Sequence, residues 1–375
     1  MLETITKSVI SNSDVGDIIE KSLNGEDLDL RDAEMLFRSN DIQLLGLGAD
    51  TIRRDLIGDT VTFISNLILN YTNICIVKCK FCAFYRDVGN AEGYNLSIET
   101  IGERAEKAYR DLGVRQVLIQ GGVNPEFPIE YYEEAFRAIK SRTNGVAVHG
   151  LSTSEIEFIA RKEKMSIKEV LERLKEAGLD SLPGAGGEIL VDKVRKALNR
   201  NLSLTDGWLK VMEEAHKIGL PTSSTMVYGH IETAEDKAKH LMLINELQKK
   251  TGGFMSFIPW NMEIENTQMS REGMVNRRAG GSELLKSLAV ARLVFRDRIK
   301  NIQTGWLTNG ISLAQLALTY GANDWGGTIY DEEVIPATGK KVGNLKAQTI
   351  IKSVKSMGRP VAERDNFYSV VKTFD

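Results

Sequence analysis

All three cysteines of this 375-residue chain fall within eight residues: Cys75, Cys79 and Cys82, in NICIVKCKFCAFYR. Whatever the chain folds into has to present that loop as a site. Scattered, reduced core cysteines would not cluster this way while the rest of the chain has none. A structural zinc site wants four closed ligands, often from two Cys-x2-Cys knuckles. This chain lacks a second pair, and no histidine lies within sixty residues of the motif. A disulfide would leave one thiol over, and the opening residues MLETITKSVISNSDV lack the basic and apolar regions of a secretory leader. Three thiolates suit three irons of a cubane [4Fe–4S] cluster, with the fourth iron left open where an electron-transfer cluster would add a cysteine. With no further cysteine present, a second cysteine-ligated cluster is excluded.

An iron with an open site can chelate the amino and carboxylate groups of S-adenosylmethionine (SAM) and pass it one electron, breaking a C–S bond to give a 5′-deoxyadenosyl radical. The spacing Cys-x3-Cys-x2-Cys, followed by Phe84 and Tyr85, resembles that of the radical SAM enzymes. The length, with 42% hydrophobic and 26% charged residues, allows one large α/β enzyme with a substantial core. A net charge of −3 gives no electrostatic reason to expect nucleic acid or an anionic membrane as partner. The apolar-rich stretch 61–77 is interrupted by Ser65, Asn66, Asn70, Thr72 and Asn73, too polar and too short to span a bilayer. A soluble, cytoplasmic protein is expected.

Residues 14–57 read as amphipathic helices, with Asp29 or Asp32 as a cap, and 1–57 is expected to form an N-terminal helical cap. From residue 61 short apolar strands alternate with amphipathic helices, the pattern of a parallel sheet. Strands are expected at 61–71, 116–120, 146–150, 181–182, 222–228, 254–259, 302–306 and near 321–323. Helices are expected at 97–111, 129–141, 166–177, 205–218, 234–249 and 281–294. Eight such units make a (βα)8 TIM-type barrel over 58–345; fewer would make a partial barrel. Residues 346–375 form a C-terminal helical or extended extension.

Reactive residues of such barrels collect at the C-terminal ends of strands, and the cluster loop follows the first expected strand. Gly121 and Gly122, after the second, let backbone approach a ligand closely. The third ends in His149 and Ser152. The fourth runs into a glycine-rich turn that carries Glu188, with Arg195 two helical turns farther on, placed to grip a carboxylate. Tyr228, His230 and Glu232 bring a phenol, an imidazole and a carboxylate to the fifth strand end, the usual presentation of acid–base groups. His216 and His240 lie in helical patterns and are expected on the outer surface. Trp260, Trp306 and Trp325 suggest a pocket for a flat ring, and Asn323 and Asp324, set among small residues, look like substrate contacts.

The strings NYTNIC, CKFCAFYR, QGGVNP, GEIL, YGHIET, TGGF, GANDWGGT and the closing RPVAERDNFY are similar to one group within the radical SAM superfamily. That group contains dehypoxanthine futalosine cyclase, aminofutalosine synthase and the subunits that make the deazaflavin precursor FO. The resemblance covers roughly residues 60–370, and AEGYNLS, FIPW and IQTGWLTNG place the cyclase nearest. It implies that Cys75, Cys79 and Cys82 hold one [4Fe–4S] cluster and that Phe81, Gly121, Gly122, Ser152, Glu188 and Arg195 lie along SAM. It further implies that His149, Trp260, Asn323 and Asp324 face a nucleoside-like substrate. The implied reaction closes a ring in dehypoxanthine futalosine, a step toward menaquinone. A sugar radical adds to the aromatic ring, a proton and an electron are lost, and His230 or Glu232, beside Tyr228, takes the proton. A ferredoxin or flavodoxin would supply the electron that starts the reaction. Aminofutalosine synthase, an FO synthase subunit, and a non-catalytic iron–sulfur or zinc-binding barrel are the alternatives.

Overall fold

A computed structural model of the chain describes residues 13–374 apart from 200 and 342. The helices begin and end on local signals. Ser97 caps Ile98–Leu112 by accepting from the Thr100 N–H, and Gly113 closes that helix in the left-handed conformation. Capping boxes open Thr153–Glu163, Ile167–Glu176 and Ala234–Thr251. Between the helices lie short, apolar, parallel strands: β1 (Val61–Ile64), β2 (Asn66–Leu69), β3 (Gln116–Ile119), β4 (Ala147–Gly150), β5 (Leu179–Ser181), β6 (Thr222–Tyr228), β7 (Phe254–Asn261), β8 (Asn301–Ile302) and β9 (Asp324–Gly327).

These strands close into a ring. β2 pairs with β3, β3 with β4 and β4 with β5. A Leu182–Thr222 bridge joins β5 to β6, and β6, β7 and β8 follow in order. A Gln303–Asp324 bridge joins β8 to β9, and β9 pairs with β1. With β1 and β2 as two halves of one barrel strand, this is a closed eight-stranded parallel barrel with the helices outside.

The expected single strand over 61–71 is broken at Ser65, because its halves pair with different neighbours. Val61–Phe63 pairs with β10 (Val361–Arg364), which occupies the place beside β1 that β3 takes beside β2. The expected strand over 302–306 stops early, since Trp306–Asn309 is helical. The last strand starts at Asp324 rather than 321.

Three helices, Gly16–Leu23, Leu30–Arg38 and Ile42–Ile57, precede the barrel and pack on helices Gly281–Phe295 and Ala234–Thr251. Residues 1–12 of the expected cap lie outside the described residues, as do residues 200, 342 and 375. After the barrel, helix Ala347–Lys355 leads to β10 and to β11 (Val370–Phe374), which pairs antiparallel with β10. No described helix is long and apolar enough to cross a membrane.

The turn between β10 and β11 passes under the barrel. Arg364, buried there, forms a two-pronged contact with the fully buried Asp324, Nε to Oδ2 at 2.6 Å and Nη2 to Oδ1 at 3.0 Å. Thr62 donates to the same carboxylate at 2.6 Å. Removing one member of such a pair strands a buried charge. D324A should therefore cost about 3–5 kcal/mol in urea unfolding, whereas T62A, which removes one hydrogen bond to the carboxylate, should cost about 1.5–3 kcal/mol. Equal losses from the two variants would contradict this picture.

Candidate active site

A cavity of about 410 Å³ fills the barrel. Strand alternation decides who faces it. Gln116 and Leu118 of β3, Ser223, Thr225 and Val227 of β6, and Ser256, Ile258 and Trp260 of β7 point in. Their neighbours Val117 and Ile119 pack outward among Ile101, Tyr132 and Phe136.

Cys75, Cys79 and Cys82 open on one side of this cavity together with Phe81, Phe84 and Tyr85. Their loop is pinned by the Cys75 N–H on the Arg86 carbonyl at 3.0 Å and the Ile76 N–H on the Val123 carbonyl at 3.0 Å. It runs so close over the β3 turn that a Cβ on Gly122 would collide with the Ile74 carbonyl, and one on Gly121 would sit 2.9 Å from the Tyr71 ring. The paired glycines thus first serve the cluster loop, while both still line the cavity. Burial pushes the Cys79 and Cys82 thiols up, Cys82 to about 11, so iron must displace their protons on binding. Among the described residues no three His, Cys, Asp or Glu side chains converge on a point that would hold a single ion. A cubane asks for something else, one thiolate on each of three irons.

The turn after β5 faces the cysteines. Its carbonyls are satisfied from behind: Arg195 donates to Gly186 and Gly187 at 2.8 Å each, and Thr225 donates to Gly184 at 2.7 Å. The front of the turn presents Glu188, buried and held at a φ of +33°, with Oε2 free of any hydrogen bond. Burial raises the Glu188 carboxyl and the Arg195 guanidinium, 3.5 Å away, pulls it back. Three thiols, two cavity-lining glycines and a buried carboxylate with an oxygen free of hydrogen bonds make a donor set that fits a three-cysteine cluster and SAM.

Several expected site residues are taken up by the fold's own contacts. Arg195 is fully buried, spends its guanidinium on the Ser203, Gly186 and Gly187 carbonyls, and does not line the cavity; it positions the turn. Glu188 precedes helix Asp192–Leu198, so the two never shared a helix face. Tyr228 follows the outward phase of β6 and is buried in the outer core. His230 is closed on its own loop: Nδ1 accepts from the Ile231 N–H at 2.8 Å and Nε2 donates to the Val227 carbonyl at 2.9 Å. Burial lowers its pKa and keeps the ring neutral. Glu232 accepts from the Gly229 and His230 N–H groups. None of Tyr228, His230 and Glu232 reaches the cavity. Asn323 is taken up by Arg292, Asn301 and the Ile302 N–H, and Asp324 by Arg364, Thr62 and the Gly326 N–H. Ser152 does line the cavity, but its Oγ caps helix Thr153–Glu163. His240 is buried rather than on the surface, accepting from the Leu190 N–H at 3.0 Å behind the glycine turn. His216 is half-buried and lies between Thr251 and Thr222.

His149, Trp260, Trp306 and Trp325 do line the cavity. His149 is the end of a polar floor in which Asn66, Gln116, Asn366 and Ser181 are linked in series, Ser181 Oγ lying 2.6 Å from His149 Nδ1. Burial and Arg364 push the imidazole down to about 3. Arg364, Asn366 and Tyr368, all on the cavity wall, were not singled out from sequence. Their only local signal is the polar run RDNFY directly after an apolar strand.

Residues 69–244 match the radical SAM superfamily, and residues 251–374 match the CofH/MqnC C-terminal region. The 5-amino-6-(D-ribitylamino)uracil--L-tyrosine 4-hydroxyphenyl transferase of Methanothermobacter thermautotrophicus is 39% identical over 88% of this chain and 90% of its own. The cyclic dehypoxanthine futalosine synthase of Halalkalibacterium halodurans is 36% identical over 96% of this chain and 95% of its own. Among solved structures, the hydrogenase maturase HydG of Carboxydothermus hydrogenoformans superposes with a TM-score of 0.73 at 17% identity, covering 98% of this chain and 85% of that one. The chain belongs to the radical SAM superfamily and, within it, to the CofH/MqnC family. It is an enzyme that forms a C–C bond with a [4Fe–4S] cluster and SAM.

One further carboxylate borders the cavity. Glu155 accepts from the Tyr71 hydroxyl and the Ser152 N–H, and burial raises it to about 7. Its folded value exceeds the ordinary 4.5, so the folded chain holds an extra proton between these pH values. Stability conferred by that proton is present at low pH and lost as pH rises through the window. E155Q removes this slope. The stability of the wild type relative to E155Q should fall by up to about 3 kcal/mol from pH 4.5 to 7 in urea titrations; parallel pH profiles would refute the assignment.

Proposed function

We propose that this enzyme closes a ring within one sugar-bearing aromatic substrate, converting dehypoxanthine futalosine to cyclic dehypoxanthine futalosine. The observation that carries the reading is the lining of the cavity. Trp260 and Trp306 offer flat apolar faces to an aromatic ring, and Gln116, His149, Asn366 and Tyr368 offer amide, imidazole and hydroxyl groups to a sugar. A chamber within one barrel suits a reaction between two parts of one molecule. The match to the cyclic dehypoxanthine futalosine synthase over nearly the whole of both chains supports the same reading.

Cys75, Cys79 and Cys82 would hold the cluster, and Gly121, Gly122 and Glu188 would hold SAM against it. When bound, this pair supplies a 5′-deoxyadenosyl radical that removes a hydrogen atom from the substrate. The barrel's own contribution is placement and exclusion of water. The tryptophans fix the ring, polar groups of the cavity wall hold the sugar, and the buried neutral His149 adds no charge to the chamber. An electron donor is required to start each turnover.

A second reading has its own support. The ribitylaminouracil transferases reach 39% identity, and their named substrates also join an aromatic ring to a polyhydroxylated chain.

Anaerobic reconstitution separates the two. With dithionite, SAM and dehypoxanthine futalosine, formation of 5′-deoxyadenosine should rise and a cyclised product should appear. Stimulation instead by 5-amino-6-(D-ribitylamino)uracil with tyrosine would overturn the cyclase reading in favour of the transferase.

A further inference from the structure

Three carboxylates line the cavity: Glu155, Glu188 and Glu332. Glu155 is spent on Tyr71 and Ser152, and Glu188 stands beside the cysteines, close enough to raise the Cys79 thiol. Glu332 is different. It sits on the segment after β9, where Val334 and Ile335 line the cavity beside it. One oxygen, Oε1, accepts from the Val334 and Ile335 N–H groups at 2.8 and 3.1 Å. Oε2 takes no hydrogen bond from any described residue.

The segment is built to hold that side chain in place. Ile329 and Asp331 adopt φ values of +54° and +60°, a region that a β-branched residue such as isoleucine avoids unless its surroundings impose it. The surroundings here are β2 and the chain after it. Asn66 Oδ1 accepts from the Ile329 N–H at 2.8 Å, and Asn70 Oδ1 accepts from the Glu333 N–H at 3.2 Å. Tyr94, just beyond the cluster loop, donates to Glu333 Oε2 at 2.6 Å, and Lys340 donates to Glu263 at 2.6 Å. This strap is therefore tied at both ends.

We propose that Glu332 is a substrate-binding residue whose free carboxylate oxygen accepts hydrogen bonds from hydroxyl groups of the sugar or polyol part of the substrate. The inference rests on the sugar-bearing substrate proposed above. A carboxylate is acceptor-only when ionised, and its free oxygen can accept from neighbouring hydroxyls.

The test is a binding cycle that does not depend on turnover. Affinity for dehypoxanthine futalosine, and for an analogue lacking its ribose hydroxyls, is measured by equilibrium dialysis with wild type and E332Q. The glutamine amide oxygen can still accept from Val334 and Ile335, so the strap keeps its internal bonds. E332Q should weaken binding of the hydroxylated ligand by roughly 10- to 100-fold and change binding of the deoxy analogue by no more than about twofold. Equal effects on both ligands, or none on either, would overturn the proposal. Failure of the wild type to bind dehypoxanthine futalosine would instead overturn the substrate reading. The same cycle with 5-amino-6-(D-ribitylamino)uracil and an analogue lacking ribityl hydroxyls would then decide Glu332.

Discussion

Closure of the barrel at its β8–β9–β1 seam is the constraint from which the rest follows, and Asp324 sits on that seam. Its backbone bridges Gln303 on one side and registers with Thr62 on the other. Its carboxylate, buried, is met by Arg364 and Thr62. Burying a carboxylate is costly without partners, and the partners come from β1 and from the end of β10. The seam closes only when the turn after β10 runs beneath the barrel, and that turn is also the floor of the cavity. Arg364 lies 3.7 Å from the centre of the Tyr368 ring, and Asn366 ties Gln116 to Ser181. Ring closure and cavity floor are one packing problem.

The cavity then has two chemically distinct ends. At the mouth the cysteine loop crosses the β3 turn so tightly that only glycines fit beneath it, and the β5 turn, held from behind by Arg195 and Thr225, advances Glu188 toward the same space. Toward the floor there are no thiols but amides, hydroxyls, a neutral imidazole and the Arg364 guanidinium, paired with Asp324. Trp260, Trp306 and Trp325 line the same chamber. The groups that shape these walls are for the most part not those that touch the contents. Arg195, His240, His230 and Glu232 are loop fasteners.

What sequence could and could not reveal follows from the same physics. That the cysteines, Gly121, Gly122, Glu188, His149 and Trp260 line one cavity is legible because each sits at or near a strand end beside a recognisable turn. Tyr228, Asn323 and Asp324 were misread because strands of a parallel barrel are buried on both faces, so polarity does not alternate and gives no sign of which side points in. His230 and Glu232 were misread for another reason: a polar triplet at a strand end can satisfy itself, and local hydrogen bonding competes with display. Arg364, Asn366 and Tyr368 went unnoticed because only the parallel pairing of β10 with β1 brings them under residues some three hundred positions earlier. The position of 302–306 after a helix points to strand, whereas Gly305, at φ +65°, turns the chain into a short helix.

The central claim is that three cysteines hold a four-iron cluster whose remaining iron is open to SAM at the cavity wall. Electron paramagnetic resonance of the anaerobically reconstituted, reduced protein, recorded with and without SAM, tests this most directly. A four-iron cluster signal whose g-values shift when SAM is added is the predicted result. A spectrum indifferent to SAM, from protein carrying its full complement of iron and sulfide, would contradict it.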